Sequence, residues 1–427
     1  MEKKQFKGWG ILVAAFIMSF IPTAVLNNSF ALYMNPVCAD LGFSNSAWST
    51  VNLIASLTSA IGGIIVAGWY QKKNMKIMMC VCAIGTGLCF ILATFCTKIW
   101  QMYIVFGVEN IFLAGLTQLP ISMLVTAWFE SKRSTMMSIA MAGGGLGGFV
   151  WSPVLSGMIA SSTSGWKTAM IFSGVLTIVV MCVVALVLVK RSPAEYGTEA
   201  YGAGTTSTDA AAAPAWIGVS QATAKKNKAW KACIGVVMLV GALASGVTTH
   251  VPNFITTIAQ DGGKLQGTIL SFYSIVTIVG MVGGGVIMDK VGIKKTVAIA
   301  VALITVGLGC VAAVGFTGNV TFAYGYCIFF ALAMCLPKLL PAILFSEVFG
   351  VKDYGSIYAK LNVFFLIGAA LGSILTSVLQ GILGYALTWI VYIVFAFLMY
   401  LCVATALKGG AEMREQYPNG DDVEVGA

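Results

Sequence analysis

The sequence predicts an all-α membrane protein with twelve transmembrane helices in two six-helix, pseudo-symmetric bundles. Three observations carry this. Hydrophobic residues make up 58% of the 427 residues and charged ones only 10%, against about 25% charged in an ordinary soluble domain. The apolar residues gather in runs of about 20, the length an α-helix needs to cross roughly 30 Å of hydrocarbon. A polar stretch near the middle then separates six such runs from six others. The runs are continuously apolar with no ten-residue alternation, so helices rather than a barrel satisfy the backbone in lipid.

The first run begins near Trp9. It continues for about 25 residues without a small-residue cleavage site, which marks a retained helix rather than a signal peptide. Further runs start near Ala47, Lys76, Trp100, Thr135 and Trp166. Residues 190–230, "KRSPAEYGTEAYGAGTTSTDAAAAPAWIGVSQATAKKNKAW", are rich in Gly, Ser, Thr, Ala and Pro with no helical stripe, and read as a flexible linker. The second set starts near Lys231, Gly267, Lys294, Val320, Tyr354 and Gly384. The expected domains are therefore a first bundle over 1–189, the linker over 190–230, a second bundle over 231–407 and a tail over 408–427.

Orientation follows from Lys and Arg, which are retained on the cytoplasmic side. With the N-terminus inside, 20 of the 25 fall in cytoplasmic segments and only Lys98, Lys167 and Lys264 in external loops. Both termini, the linker and the tail are expected in the cytoplasm, and the chain in the plasma membrane as a multi-pass protein. This asymmetry accounts for the net charge of +9, so nucleic acid is not an expected partner. The eleven Cys lie mostly inside helices with no CxxC pair and read as small apolar packing residues. No metal, disulfide framework or cofactor is expected, and the protein is expected to be monomeric.

The halves echo each other in their loops. "GWYQKKNMK" (68–76) follows the second helix and "GVIMDKVGIKK" (285–295) the eighth; "WFESKRS" (128–134) follows the fourth and "FGVKDYG" (349–355) the tenth. Such a six-plus-six repeat is the signature of transporters that bind substrate between halves and rock around it.

The loop "GVIMDKVGIKK" resembles the Gly-x-x-x-Asp-Lys-x-Gly-x-Lys-Lys loop of the major facilitator superfamily. Its first-half counterpart departs from that pattern at Lys72 and Met75. Five segments, "ALYMNPVCADLG" (31–42), "WFESKRSTMMSIAMAGGGLGG" (128–148), "HVPNFITTIAQDGG" (250–263), "PAILFSEVFG" (341–350) and "YGSIYAK" (354–360), resemble the oxalate/formate antiporter and monocarboxylate transporter branch of that superfamily. The resemblance implies the major facilitator fold and secondary transport of small organic anions. In oxalate transporters of this branch an Arg on the eighth helix and a Lys on the eleventh hold the two carboxylates within an aromatic cage. The Arg position falls here at Met281 and the Lys position at Leu361, one residue after Lys360. Cage positions fall at Gly144, Ala333 and Pro337, a polar pair at Asn27 and Asn28, and a Tyr position at Gln118. The dicarboxylate clamp is missing, so the pocket is expected to be wider and more polar and oxalate is not the expected substrate.

Each charge within a membrane helix costs on the order of 3 kcal/mol and normally faces a cavity or a partner, so these residues form the functional shortlist. Lys338 stands between Pro337 and Pro341. The prolines remove backbone donors and favour a bend that opens carbonyls around the ammonium, a suitable counter-ion for a substrate carboxylate. Lys360 lies about 10 Å into the eleventh helix from Tyr354 and is a candidate for substrate contact or gating. Asn27, Asn28 and Gln118 are candidate hydrogen-bonding groups. Glu109, inside the fourth helix, is a candidate proton carrier. His250, the only histidine, resembles the family's His-x-x-Pro or His-x-Pro pattern and suits either substrate binding or a proton-linked step near pH 6.5. Asp289, Lys290, Arg133 and Glu347 sit at cytoplasmic helix ends and are candidate gating charges. "GGGLGG" (143–148) has no preceding strand and no following Lys-Ser, so it reads as close helix packing rather than a phosphate loop.

The expected function is alternating-access transport of a small organic anion, a monocarboxylate, coupled to a proton or a counter-anion. The rivals are efflux of amphipathic metabolites or drugs, and a membrane sensor that binds without transport. An enzyme is disfavoured, since no nucleophile and base spacing, metal pair or cofactor motif appears.

Overall fold

The computed structural model describes residues 8–162, 164–190, 192–193, 200–201, 216–259 and 264–421. Residues 191, 194–199 and 202–215 of the expected linker, and 422–427 of the expected tail, lie outside that set. The chain divides into two compact units, Met1–Ser131 with Ile139–Ala212 and Lys132–Ser138 with Ala213–Ala427.

Ten helical stretches among the described residues are long and apolar enough to cross a membrane. One of them, Tyr354–Gln416, is 63 residues long and is broken at Gly384, whose φ of 76° only glycine adopts without strain. It therefore supplies two helices, and the 28-residue helix Lys264–Val291 supplies another. The twelve helices start within a turn of where the sequence placed them. Their outer faces carry apolar stripes, such as exposed Val175, Val179 and Val183. Such patches would be a liability in water and are the expected surface in lipid.

In the first unit, α1 is α-helical over Gly8–Met18, widens to a π-helix over Ser19–Asn27, tightens to 3₁₀ over Asn28–Tyr33 and ends as α-helix over Met34–Leu41. The change begins at Pro22, which cannot donate to the Met18 carbonyl. The Thr23 hydroxyl donates to that carbonyl instead, at 3.4 Å. Then follow α2 (Asn45–Lys72), α3 (Met75–Ala93), α4 in two pieces (Ile99–Leu113 and Gln118–Trp128), α5 (Arg133–Ala160, whose first residues, through Ser138, belong to the second unit) and α6 (Gly165–Val187). A buried aromatic cluster of Trp48, Phe90 and Phe106, with partly buried Phe30 packed on it, lies in the core of this unit.

The glycine run on α5 packs as expected from its residues. A Cβ at Gly147 would stand 2.5 Å from the Phe20 carbonyl oxygen and 2.6 Å from the Ala24 Cβ, and one at Gly143 would stand 2.5 Å from the Phe16 carbonyl oxygen. The α1 backbone thus lies directly on α5, a contact only glycine permits. Gly147→Val is expected to destabilise the folded protein by about 1–3 kcal/mol or more, the usual range for overpacking. A lowered midpoint of thermal unfolding in detergent checks this, and an unchanged midpoint contradicts it.

In the second unit a short helix, Gln221–Lys226, precedes α7 (Lys228–Ala259). Then come α8 (Lys264–Val291), α9 (Ile293–Thr317), α10 in two pieces (Phe322–Ala333 and Cys335–Phe349), and α11 and α12, which share the 63-residue stretch on either side of Gly384. Helices α4 and α10 occupy equivalent places in the repeat, and both are broken. Thr-Gln-Leu-Pro over 117–120 corresponds to Lys-Leu-Leu-Pro over 338–341, with Trp128 and Phe349 ending the two helices in the same register. Pro120 and Pro341 are therefore equivalent, and Lys338 takes the place of Thr117.

Candidate functional site

The first unit carries Asn27, Asn28, Gln118 and Glu109. Asn27 and Asn28 are exposed at the junction of the π and 3₁₀ segments of α1. The Asn28 amide donates to the Gly144 carbonyl at 3.2 Å, which joins two positions that the family resemblance had placed at the pocket. π-turns of this kind are frequent at functional sites, because the widened backbone presents side chains that a regular helix would not. Gln118 is the first residue after the break in α4. The loose turn before it is closed by the Tyr70 hydroxyl, which donates to the Gly115 carbonyl, and by Thr117 Oγ1, which donates to the Leu113 carbonyl at 3.2 Å.

Glu109 is 2% exposed. Its Oε2 accepts a 2.6 Å bond from the amide of its neighbour Asn110, while Oε1 has no hydrogen-bond partner. Cys89 of α3 stands within electrostatic reach. A buried carboxyl with an oxygen left over is costly, so this group is an outlier that calls for a role.

In the second unit, α10 breaks at Met334, whose amide bonds back only three residues, to the Ala331 carbonyl at 3.1 Å. The cause is Pro337, which leaves the Ala333 carbonyl without its helical donor; the Cys335 thiol approaches that oxygen at 3.8 Å. Lys338, half-buried, is the fourth residue of the second piece. Ala333 and Pro337 line a small apolar cleft together with Val240, Ile304, Phe330 and Met399. Lys338 lies about 100° further around the helix and is not among its lining residues. Met281 and Leu361, where oxalate transporters carry their cations, are buried apolar side chains at 1% and 0% exposure. His250 is half-buried on α7.

Lys360 is drawn elsewhere. Its ammonium donates to the Gln221 side-chain carbonyl at 2.7 Å, on the short helix before α7. Of the expected gating charges, Asp289 at the end of α8 accepts from the backbone amides of Ser134 at 2.9 Å and Thr135 at 2.7 Å. These are orphan amides of the first turn of α5, where a carboxylate is favoured both by capping and by the helix dipole. Lys72, the first-half counterpart of Asp289, offers no acceptor. Arg133 donates to Ser346 Oγ at 3.3 Å, Glu347 accepts from Arg414 at 2.8 Å, and Lys290 is exposed.

The sequence reading did not single out Arg414, Ser220 or Asp421. The Asp421 carboxylate accepts from Lys352 Nζ at 2.6 Å, Ser220 Oγ at 2.5 Å and Thr223 Oγ1 at 2.6 Å. Burial alone would raise the pKa of this carboxyl, but the bonds from Lys352, Ser220 and Thr223 outweigh burial and hold it well below its ordinary 3.8. A depressed carboxyl stabilises the fold above its ordinary pKa and loses that contribution only as pH falls through the lowered value. This contact therefore persists through neutral and mildly acidic pH.

A chain of twelve membrane-crossing helices in two units, with discontinuous helices at equivalent places in the repeat, has the architecture of a helical membrane transporter. The family model described as Major Facilitator Superfamily matches residues 9–343, and the chain belongs to that superfamily. Among proteins of known sequence it is 25% identical over 162 residues to "Probable transporter MCH2" of Saccharomyces cerevisiae, covering 37% of this chain and 34% of that one. It is also 25% identical over 172 residues to "Monocarboxylate transporter 12" of Homo sapiens, covering 39% and 32%. The chain thus spans about a third of the length of the curated relatives it matches. Among solved structures, the proton:xylose symporter XylE superposes with a TM-score of 0.70 at 13% identity, covering 92% of this chain and 94% of that one. This likeness shows the shared fold.

Proposed function

We propose that the protein is a secondary active transporter of a small organic anion, a monocarboxylate, that works by alternating access with a proton or a counter-anion. The observation that carries this reading is Lys338, a cation near the middle of a membrane-crossing helix, seated just past a break that recurs in the repeat. Its ammonium binds the substrate carboxylate. Apolar Met281 and Leu361 at the positions of the dicarboxylate clamp suit one carboxylate rather than two, with Lys360 a second candidate contact. Similarity over part of the chain to monocarboxylate transporters supports the same substrate class.

Asn27, Asn28 and Gln118 supply hydrogen bonds to the rest of the anion. The exposed amides on α1 are too polar for lipid and face a wet cavity. His250 lies near the substrate, and it or Glu109 carries the proton. The contacts of Asp289 with the start of α5 break and re-form during the cycle, with Lys290, Arg133 and Glu347 at neighbouring helix ends. Both termini lie in the cytoplasm, and the monomeric protein resides in the plasma membrane. The apolar cleft beside Ala333 and Pro337 favours a second reading, efflux of amphipathic molecules.

Counterflow into proteoliposomes preloaded with a panel of mono- and dicarboxylates, with a pH gradient imposed or collapsed, tests both. Saturable exchange of a monocarboxylate, uncompeted by uncharged amphiphiles, is the expected result. Competition by uncharged compounds and no carboxylate flux would replace the anion reading with efflux.

A further inference from the structure

The linker is held to the helix ends at two equivalent places. In the first unit, Tyr201 N donates to the Trp128 carbonyl at 2.9 Å, and its own carbonyl accepts from Glu130 N and Ser131 N at 3.1 and 3.0 Å. In the second unit, Val219 N donates to the Phe349 carbonyl at 3.1 Å, and the Ile217 carbonyl accepts from Val351 N and Lys352 N at 3.1 and 2.9 Å. Trp128, Glu130 and Ser131 correspond in the repeat to Phe349, Val351 and Lys352. The same hook thus follows α4 and α10.

In the second unit the tail closes over the hook. The Asp421 carboxylate binds Ser220 through its backbone amide at 2.9 Å and its hydroxyl at 2.5 Å, binds Thr223, and is neutralised by Lys352. Trp216 Nε1 donates to the Tyr417 carbonyl at 2.7 Å, and the Arg414 guanidinium lies 5.6 Å over the same indole. A surface ion pair alone would contribute little; here the carboxylate also collects charge-assisted bonds from both the linker and the loop after α10. The residue after Ser220 is Gln221. Its backbone amide is fixed by Asp353 Oδ2 at 2.8 Å, and its side-chain carbonyl holds the Lys360 ammonium at 2.7 Å. The other end of that amide, Nε2, is buried without a partner, so the contact is half satisfied and cheap to exchange.

We propose that the linker and the C-terminal tail form a clasp on the second unit whose working element is Gln221, a positioning residue that holds the Lys360 ammonium at the start of α11, with Asp421 locking Gln221 in place. The clasp links the two ends of the second half of the chain to the one lysine of α11, so displacement of the tail frees that cation. Gln221 is neutral, and it gives way to a carboxylate without an ion pair having to break.

The test is labelling of the full-length protein in proteoliposomes by a small membrane-permeant amine-reactive ester, with the rate at each lysine read by mass spectrometry. Gln221→Ala and Asp421→Asn should each raise the rate at Lys360 about fivefold, the factor a hydrogen bond of ordinary net strength is worth. Lys408 should be unchanged in both, and Asp421→Glu should label like the parent. A Lys360 rate that stays at the parent value in either variant, or that rises equally at Lys408, overturns the clasp. The consequence for transport rests on the anion reading above: Gln221→Ala should shift the KM for counterflow severalfold with the maximal rate kept. If the parent moves no carboxylate, that reading fails while the labelling result stands on its own.

Discussion

Replacing Lys338 with alanine is expected to raise the KM for monocarboxylate counterflow by about 10- to 100-fold. This is the factor corresponding to roughly 1.5–3 kcal/mol for hydrogen bonds to a charged group. The variant should still fold. The break in α10 is made by Pro337, which strips the Ala333 carbonyl of its donor, and the Met334 turn before it is closed by a backbone bond to the Ala331 carbonyl. Lys338→Arg should restore only part of the activity, because a planar fork of donors does not reproduce a compact ammonium. Lys338→Met, which keeps the apolar stem, separates packing from charge. Counterflow by Lys338→Ala at the parent KM would remove the lysine from the site.

The second large effect is expected at Glu109. Its Oε1 is buried without a hydrogen-bond partner, beside Cys89, and Glu109→Gln keeps the shape while removing the exchangeable proton. If Glu109 carries the coupled proton, exchange should continue while accumulation driven by a pH gradient collapses. A gradient of one unit supports about tenfold accumulation by a one-proton symporter, since one unit equals 1.36 kcal/mol. The parent should approach that ratio, and the variant should stay near unity. Accumulation by Glu109→Gln equal to that of the parent would pass the role to His250, or to exchange against a second anion.

The twelve helices were legible because lipid imposes one length and one polarity on every crossing, so composition alone marks the starts. The Gly384 break was visible for the same reason, as a glycine between two apolar runs. The break in α10 could be foreseen because proline leaves a chemical mark. In α4 Leu116 stands where α10 has Pro337 and only Pro120, the equivalent of Pro341, remains, so that break became plain only when the two helices were set in register. The passage of α1 from π to 3₁₀ depends on side chains capping particular carbonyls, which no periodicity reports. Lys360 was legible as an unusual cation, yet its partner Gln221 lies 139 positions away. Hydrogen bonds between segments so distant in the chain, like those of Asp421 with Ser220, leave no spacing to read.

The paired breaks in α4 and α10 have a consequence for redesign. Pro120 and Pro341 are equivalent, but the residues three positions before them are not: Thr117 is neutral where Lys338 is charged. Mechanics and chemistry are therefore written at different positions, and one can be edited without disturbing the other. If Lys338 binds the anion as proposed, moving the charge from position 338 to position 117 would transfer that group to the opposite half of the repeat and leave Pro120, Pro337 and Pro341 in place. On the proposed reading, the repeat thus holds two equivalent positions for one substrate group.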